Sequence, residues 1–145
     1  MDFFSAMKIS STGLSVQRTR MNVTSSNLAN IETTRTEEGG AYRRRSPVVA
    51  AVPLASSFEE IFSDAIHEQT HGAEVVSIEQ DGTPGRLVHD PDHPDANDEG
   101  YVEMPNVNAI SEMVNMLTAS RSYEANVSAL KALKGMAQSA LEIGD

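Results

Sequence analysis

The chain has no cysteine and no tryptophan. Without cysteine, disulfide frameworks and thiolate metal sites are excluded, and stability does not depend on the redox state of the compartment. Phenylalanine occurs 4 times and tyrosine 3 times in 145 residues, so aromatic packing contributes little to any core. No apolar run approaches the roughly 18 residues of a membrane span. The N-terminal MDFFSAMKISS has neither the basic start nor the long apolar stretch of a cleaved signal peptide. Export, where it occurs, is therefore expected without one. Basic residues are nearly absent from the middle: residues 46–104 carry 1 basic and 13 acidic groups. Residues 1–45 carry 7 and 4, and residues 105–145 carry 3 and 4. An acidic middle opposes nucleic-acid binding, which needs basic groups against phosphates. Arg43, Arg44 and Arg45 read as a solvated strand or loop rather than an anion site. The acidic middle is expected to face water, and the quieter ends to pack against something.

Hydrophobic residues at helical spacing occupy both ends. Met7, Leu14, Met21 and Leu28 recur every seven residues, as do Ile9, Val16 and Val23. The two series are offset by about 200° around a helix, which gives two stripes and predicts neighbours on both sides. The spacing predicts a helix over residues 2–33. Its filler of Ser, Thr, Asn and Gly is poor for an isolated helix, so its stability should come from packing. A second helix is predicted over residues 108–143, capped by Asn108, with Glu112 in the first turn where the helix dipole favours an anion. Ile110, Met113, Val114 and Leu117 lead its apolar positions, followed by Val127, Leu130, Leu133, Met136, Ala137 and Leu141. At roughly 54 Å such a helix outreaches a compact globule of this length. Long terminal helices with apolar seams point to a coiled coil or an assembly interface. Between them, strands are predicted over 42–52, 74–80, 86–89 and 100–103, and a short amphipathic helix over 58–72. The fold class is α+β, divided into an N-terminal assembly helix (1–33), a small acidic β-rich middle (34–104) carrying one short helix, and a C-terminal assembly helix (105–145).

Two motifs invite chemistry. HEQTH, residues 67–71, matches the H-E-x-x-H pattern of zinc metalloproteases. On a helix over 58–72, however, His67 and His71 fall opposite the apolar face of Phe58, Ile61, Phe62, Ala65 and Ile66. No third-ligand continuation follows. The acidic loop HDPDHPDANDEG invites a calcium reading through Asp90, Asp92, Asp95, Asp98 and Glu99, but Pro94 breaks the EF-hand order. No catalytic residue, cofactor or metal ligand is assigned. A small zinc hydrolase using His67, Glu68 and His71, and a soluble coiled-coil adaptor, remain as alternatives.

The ends carry the more specific pattern. GLSVQRTRMNVTSSNLANIETTRTEEGGAYRRR (13–45), with SSNLAN at 25–30, resembles the N-terminal signature of bacterial flagellar rod and hook proteins. GYVEMPNVNAISEMVNMLTASRSYEAN (100–126) resembles the matching C-terminal signature. TTRTEEGGAYRR and HPDANDEGYVEMPNV are similar to the corresponding segments of proximal-rod members of that family. The resemblance covers roughly residues 5–50 and 73–143 and is weakest over 53–72, which includes HEQTH. It implies a structural axial subunit of the basal-body rod, with terminal helices pairing as in the innermost (D0) domain of rod and hook proteins. It also implies export by the flagellar type III apparatus to a periplasmic rod, assembly with itself, FlgB, FlgF, FlgG and FliE, torque transmission by helix packing, no membrane insertion, and no catalysis or cofactor. The apolar positions assign Met7, Leu14, Met21, Leu28, Met113, Leu117, Leu130 and Leu133 to the assembly interface. The resemblance adds Asn27, Ala29, Asn30, Tyr123 and Asn126.

Overall fold

The structure, a computed structural model, describes residues 3–54 and 71–143. Its elements in chain order are α1 (Phe3–Ala29), β1 (Arg45–Pro53), β2 (His71–Gln80), β3 (Leu87–His89), β4 (Tyr101–Glu103) and α2 (Ala109–Ile143). β1 pairs with β2 and β3 with β4, giving two small two-stranded sheets. Two long helices with a small β-sheet middle make an α+β fold.

α1 accommodates its poor helix formers by turning hydroxyls back onto its own carbonyls. Ser10 donates to the Ala6 oxygen, Thr12 to Ile9 and Thr19 to Ser15. The helix ends at Ala29, four residues before the sequence prediction. Asn30 closes it: its backbone N–H and its side-chain Nδ2 both donate to the Ser26 carbonyl, at 3.1 and 2.9 Å. The Ser26 carbonyl thus takes two donors from the one residue, which reinforces the last turn of the helix. At the other end of the chain Asn108 caps α2 as expected, its Oδ1 accepting from the Ser111 N–H at 3.0 Å.

β2 begins at His71, and this corrects the last two residues of the helix predicted over 58–72. His71 and Gly72 are extended, while the remainder of that prediction, including His67 and Glu68, lies outside the described residues. The physical reason is at Gly72. A Cβ there would stand 2.5 Å from Leu54 Cδ2 and 3.0 Å from Thr12 Oγ1, so the strand packs closely against these two side chains at a position where a larger residue would require Leu54 to move. Thr12 Oγ1 then accepts from the Ala73 N–H at 3.3 Å.

The chain divides into two compact units. One comprises Met1–Thr19, Val49–Val76 and Ala119–Asp145. There Val16 and Ala119 are buried, Lys8 Nζ donates to the Leu54 carbonyl, and Gly13 faces Asn126, with a Cβ added at Gly13 falling 3.0 Å from Asn126 Nδ2. The other comprises Arg20–Val48 and Ser77–Thr118. In it Val23, Ala41, Tyr42 and Val102 are buried. Its β3–β4 pair is antiparallel, with Val88 opposite the buried Val102 and His89 opposite Tyr101, whose rings meet edge to face at 5.0 Å. The acidic loop between those strands is organised by Asn97, whose Oδ1 accepts from the N–H groups of Glu99 and Tyr101, with Gly100 at φ 79°. Gly85 lies against the chain leaving β4: a Cβ there would fall 1.7 Å from the Met104 carbonyl oxygen. Gly85→Ala is therefore expected to destabilise this unit by about 1–3 kcal/mol through overpacking, read as a lowered urea midpoint with an unchanged slope.

Candidate assembly surface and the polar clamp beneath it

The three largest fully buried side chains among the described residues are Glu112, Val102 and Asn27. Two of the three are polar, which is unusual for a core. Asn27, near the end of α1, is 1 % exposed. Its Nδ2 donates to the Arg45 carbonyl at 2.8 Å and to Glu112 Oε2 at 2.9 Å. Its Oδ1 accepts from Tyr42 Oη at 2.9 Å and from the Arg45 N–H at 3.0 Å. Two donors and two acceptor positions are thus all used. Glu112 is held from its other oxygen by Arg44 Nε at 2.8 Å. The Arg44 N–H in turn donates to Asn106 Oδ1 at 2.7 Å, and Asn106 Nδ2 reaches the carbonyls of Asp81 and Thr83. The clamp therefore ties the end of α1, the entry to β1 and the first turns of α2 together within one unit.

Above this clamp α2 shows the reverse polarity. Ile110 is 75 % exposed and Leu117 59 %, and Met113 and Val114 are also exposed. Positions 110, 113, 114 and 117 form one continuous helical stripe. Further along, Met136 and Leu141 are exposed, as is Phe4 on α1.

The assigned residues separate into three groups. Met113, Leu117 and Ala29 are exposed. Met7, Leu14, Met21, Leu28, Asn30, Tyr123, Asn126, Leu130 and Leu133 are half-buried. Asn27 is enclosed by its own chain, its carboxamide fully engaged there. On α2, Leu117 and Leu130 are thirteen residues apart, about 140° around the helix, so the two sets of apolar positions lie on different faces. On α1, Val16 and Val23 are buried while the Met7 series is half-buried, so one of the two predicted stripes supplies the chain's own core. Sequence reasoning missed the role of Glu112, which was assigned to the helix dipole, and that of Arg44, assigned to solvent. The available signal was a lone carboxylate inside the apolar run AISEMV.

Among the described residues no group of three or more His, Cys, Asp or Glu side chains is placed to hold a metal ion. Asp95 of the acidic loop instead accepts from Thr34 Oγ1 at 2.8 Å and faces Arg35. Asp81 accepts from the hydroxyl and the N–H of Thr83, and these bonds, with Arg44 and Arg43 nearby, hold its carboxyl below the ordinary value of 3.8.

Two family models match the two ends of this arrangement. "Flagella basal body rod protein" covers residues 7–35, which include Asn27, and "Flagellar basal body rod FlgEFG protein C-terminal" covers residues 98–143, which include Glu112 and the stripe. The class is that of flagellar basal-body rod proteins. The chain is 42% identical to the flagellar basal-body rod protein FlgC of Borreliella burgdorferi over 99% of this chain and 98% of that one. It is 42% identical to FlgC of Bacillus subtilis over 99% of each, and 38% identical to FlgC of Salmonella typhimurium over 94% and 93%. The chain belongs to the FlgC family of flagellar basal-body rod proteins, which are structural subunits and not enzymes. The zinc-hydrolase and soluble-adaptor readings have no support.

Two outcomes follow for the clamp. Asn27→Ala removes the partner of the Arg45 N–H, the Asn27 donor to the Arg45 carbonyl and to one Glu112 oxygen, and leaves the Tyr42 hydroxyl only its 3.5 Å contact with Ser26 Oγ. It should cost about 3 kcal/mol, with a coupling of about 1 kcal/mol to Tyr42→Phe in a double-mutant cycle read by urea unfolding. Because the Asp81 carboxyl titrates lower when folded, its contribution is present above the ordinary carboxylate value and is lost as pH falls through the folded one. Unfolding curves between pH 6 and pH 2.5 should therefore show Asp81→Asn losing less stability on acidification than the parent chain.

Proposed function

We propose that this chain is an axial subunit of the proximal rod, and that its terminal helices pair as a coiled coil and pack between neighbouring subunits. The observation that carries the reading is the outward stripe of Ile110, Met113, Val114 and Leu117, four large apolar side chains held in water on a helix whose opposite face is already engaged. Exposed apolar rows of this kind mark protein contacts. Covering each would contribute about 1–2 kcal/mol, since each is roughly half to three-quarters exposed to begin with. The half-buried Met7, Leu14, Met21, Leu28, Leu130 and Leu133, with Ala29, Asn30, Tyr123 and Asn126, complete the assembly face in this reading, while residues 34–104 face outward. Its partners are further copies of itself, FlgB, FlgF, FlgG and FliE. Delivery is through the flagellar type III apparatus, without a cleaved signal, to the periplasmic rod. No helix of the described residues is long and apolar enough to cross a membrane, which is consistent with an axial place. Torque then passes through many lateral helix contacts and needs no reactive group.

Deleting the gene should remove rod, hook and filament while the membrane ring and export apparatus persist in tomograms of the basal body. Intact flagella would defeat the reading. Leu117→Asp should fold with near-parent stability, because the side chain is exposed in the subunit, yet block rod assembly, because a carboxylate buried without a partner costs several kcal/mol at order of magnitude. Normal rods in that strain would mean that the stripe meets no neighbour.

A further inference from the structure

The first turns of α2 are inverted. The face turned into the unit carries Glu112, 1 % exposed, while Ile110, Met113, Val114 and Leu117 stand in water. On a helix these four lie about 100–200° from Glu112, so their centre is nearly opposite it. Apolar burial alone would favour the other phase, with the stripe inward and the carboxylate out. The structure keeps the inverted phase because Glu112 Oε2 accepts from Asn27 and Oε1 from Arg44, at 2.9 and 2.8 Å. Rolling the helix would strip two charge-assisted bonds and leave Asn27, itself enclosed, short of a partner.

We infer that Glu112 is a positioning residue: its clamp to Asn27 and Arg44 sets the rotational phase of α2 and so holds the Ile110–Leu117 stripe outward, available to a neighbouring subunit. The clamp prevents the subunit from covering that stripe with its own chain. Buried ionic groups of this kind can select one register over a more hydrophobic one at some cost in stability. Only the consequence for assembly rests on the rod reading; the phase of the helix can be measured without it.

The absence of cysteine permits a direct test on the full chain. Single cysteines are placed at Leu117→Cys, on the exposed face, and at Met116→Cys, half-buried and about 40° from Glu112. Thiol-labelling rates are compared with and without Glu112→Leu. If the clamp sets the phase, Glu112→Leu slows labelling at 117 and speeds it at 116, each by about tenfold for a population shift of this order. Glu112→Gln, which retains one acceptor oxygen, should fall between. Acceleration at both positions together would show that Glu112 merely stabilises the helix, and unchanged rates at both would show that it does not set the phase. Either result overturns the inference. The outcome is independent of the Leu117→Asp assembly experiment: reciprocal labelling with normal Leu117→Asp rods would retain the phase lock and remove the stripe as an interface.

Discussion

The carboxamide of Asn27 is the interaction on which most of its unit depends. Its four bonds reach the Tyr42 hydroxyl, both backbone groups of Arg45 and the carboxylate of Glu112, eighty-five residues away in sequence. Each such bond contributes modestly to net stability, yet each is expensive to leave unmade once enclosed. A network that is complete therefore tolerates almost no alternative arrangement of the segments it joins. Among the described residues the buried hydrophobic side chains are few and mostly small: Val16, Val23, Ala41, Tyr42, Val102 and Ala119. A core of that kind specifies register weakly, because one Val or Ala can replace another after a slip. The polar clamp supplies the specificity that the apolar core lacks.

The ends were the legible part of the sequence. Two long helices could be read from apolar spacing, and Asn108 could be read as a cap because the feature is local: one side chain, one N–H three residues on. The strand over 74–80 was legible from its alternation, and short strands were expected over 86–89 and 100–103, where the structure has 87–89 and 101–103. What failed was non-local. The end of α1 depends on the Asn30 side chain folding back on Ser26, and an apolar pattern that runs on to Ile31 conceals it. The strand start at His71 and Gly72 packs against Leu54 and Thr12, the latter sixty residues from Gly72 in sequence and hydrogen-bonded to the Ala73 N–H. Glu112 sits where the dipole rule and the burial of a charge both place a carboxylate, and no pattern in one chain distinguishes them. Its partner Arg44 is one of three adjacent arginines, of which Arg45 instead stacks over the Tyr42 ring at 5.7 Å. Composition suggested solvent for all three, and only the fold separates their roles.

The candidate surface was half legible for the same reason. Helical periodicity identifies which residues share a face, but not whether that face meets the chain itself or another molecule. Val16 and Val23 met the chain; Ile110 and Leu117 did not.

Polar groups inside and apolar groups outside together define a subunit whose folded form is incomplete by the ordinary measure of burial. A monomeric protein gains by exchanging the whole Asn27–Glu112–Arg44 cluster for packed hydrophobic groups and the stripe for polar residues, since a buried ion pair seldom outperforms a hydrophobic replacement of both partners. The chain does neither. Its arrangement is intelligible if the relevant minimum is that of the assembly, where the stripe is covered and the clamp has already fixed which face is offered. In that case the stability of the isolated chain and its capacity to assemble are set by different faces of the same helix turns. The first lies on the side of Glu112 and the second on the side of Leu117: a substitution at Leu117 leaves the clamp intact, whereas one at Glu112 reaches both faces, because the clamp fixes which of them is offered.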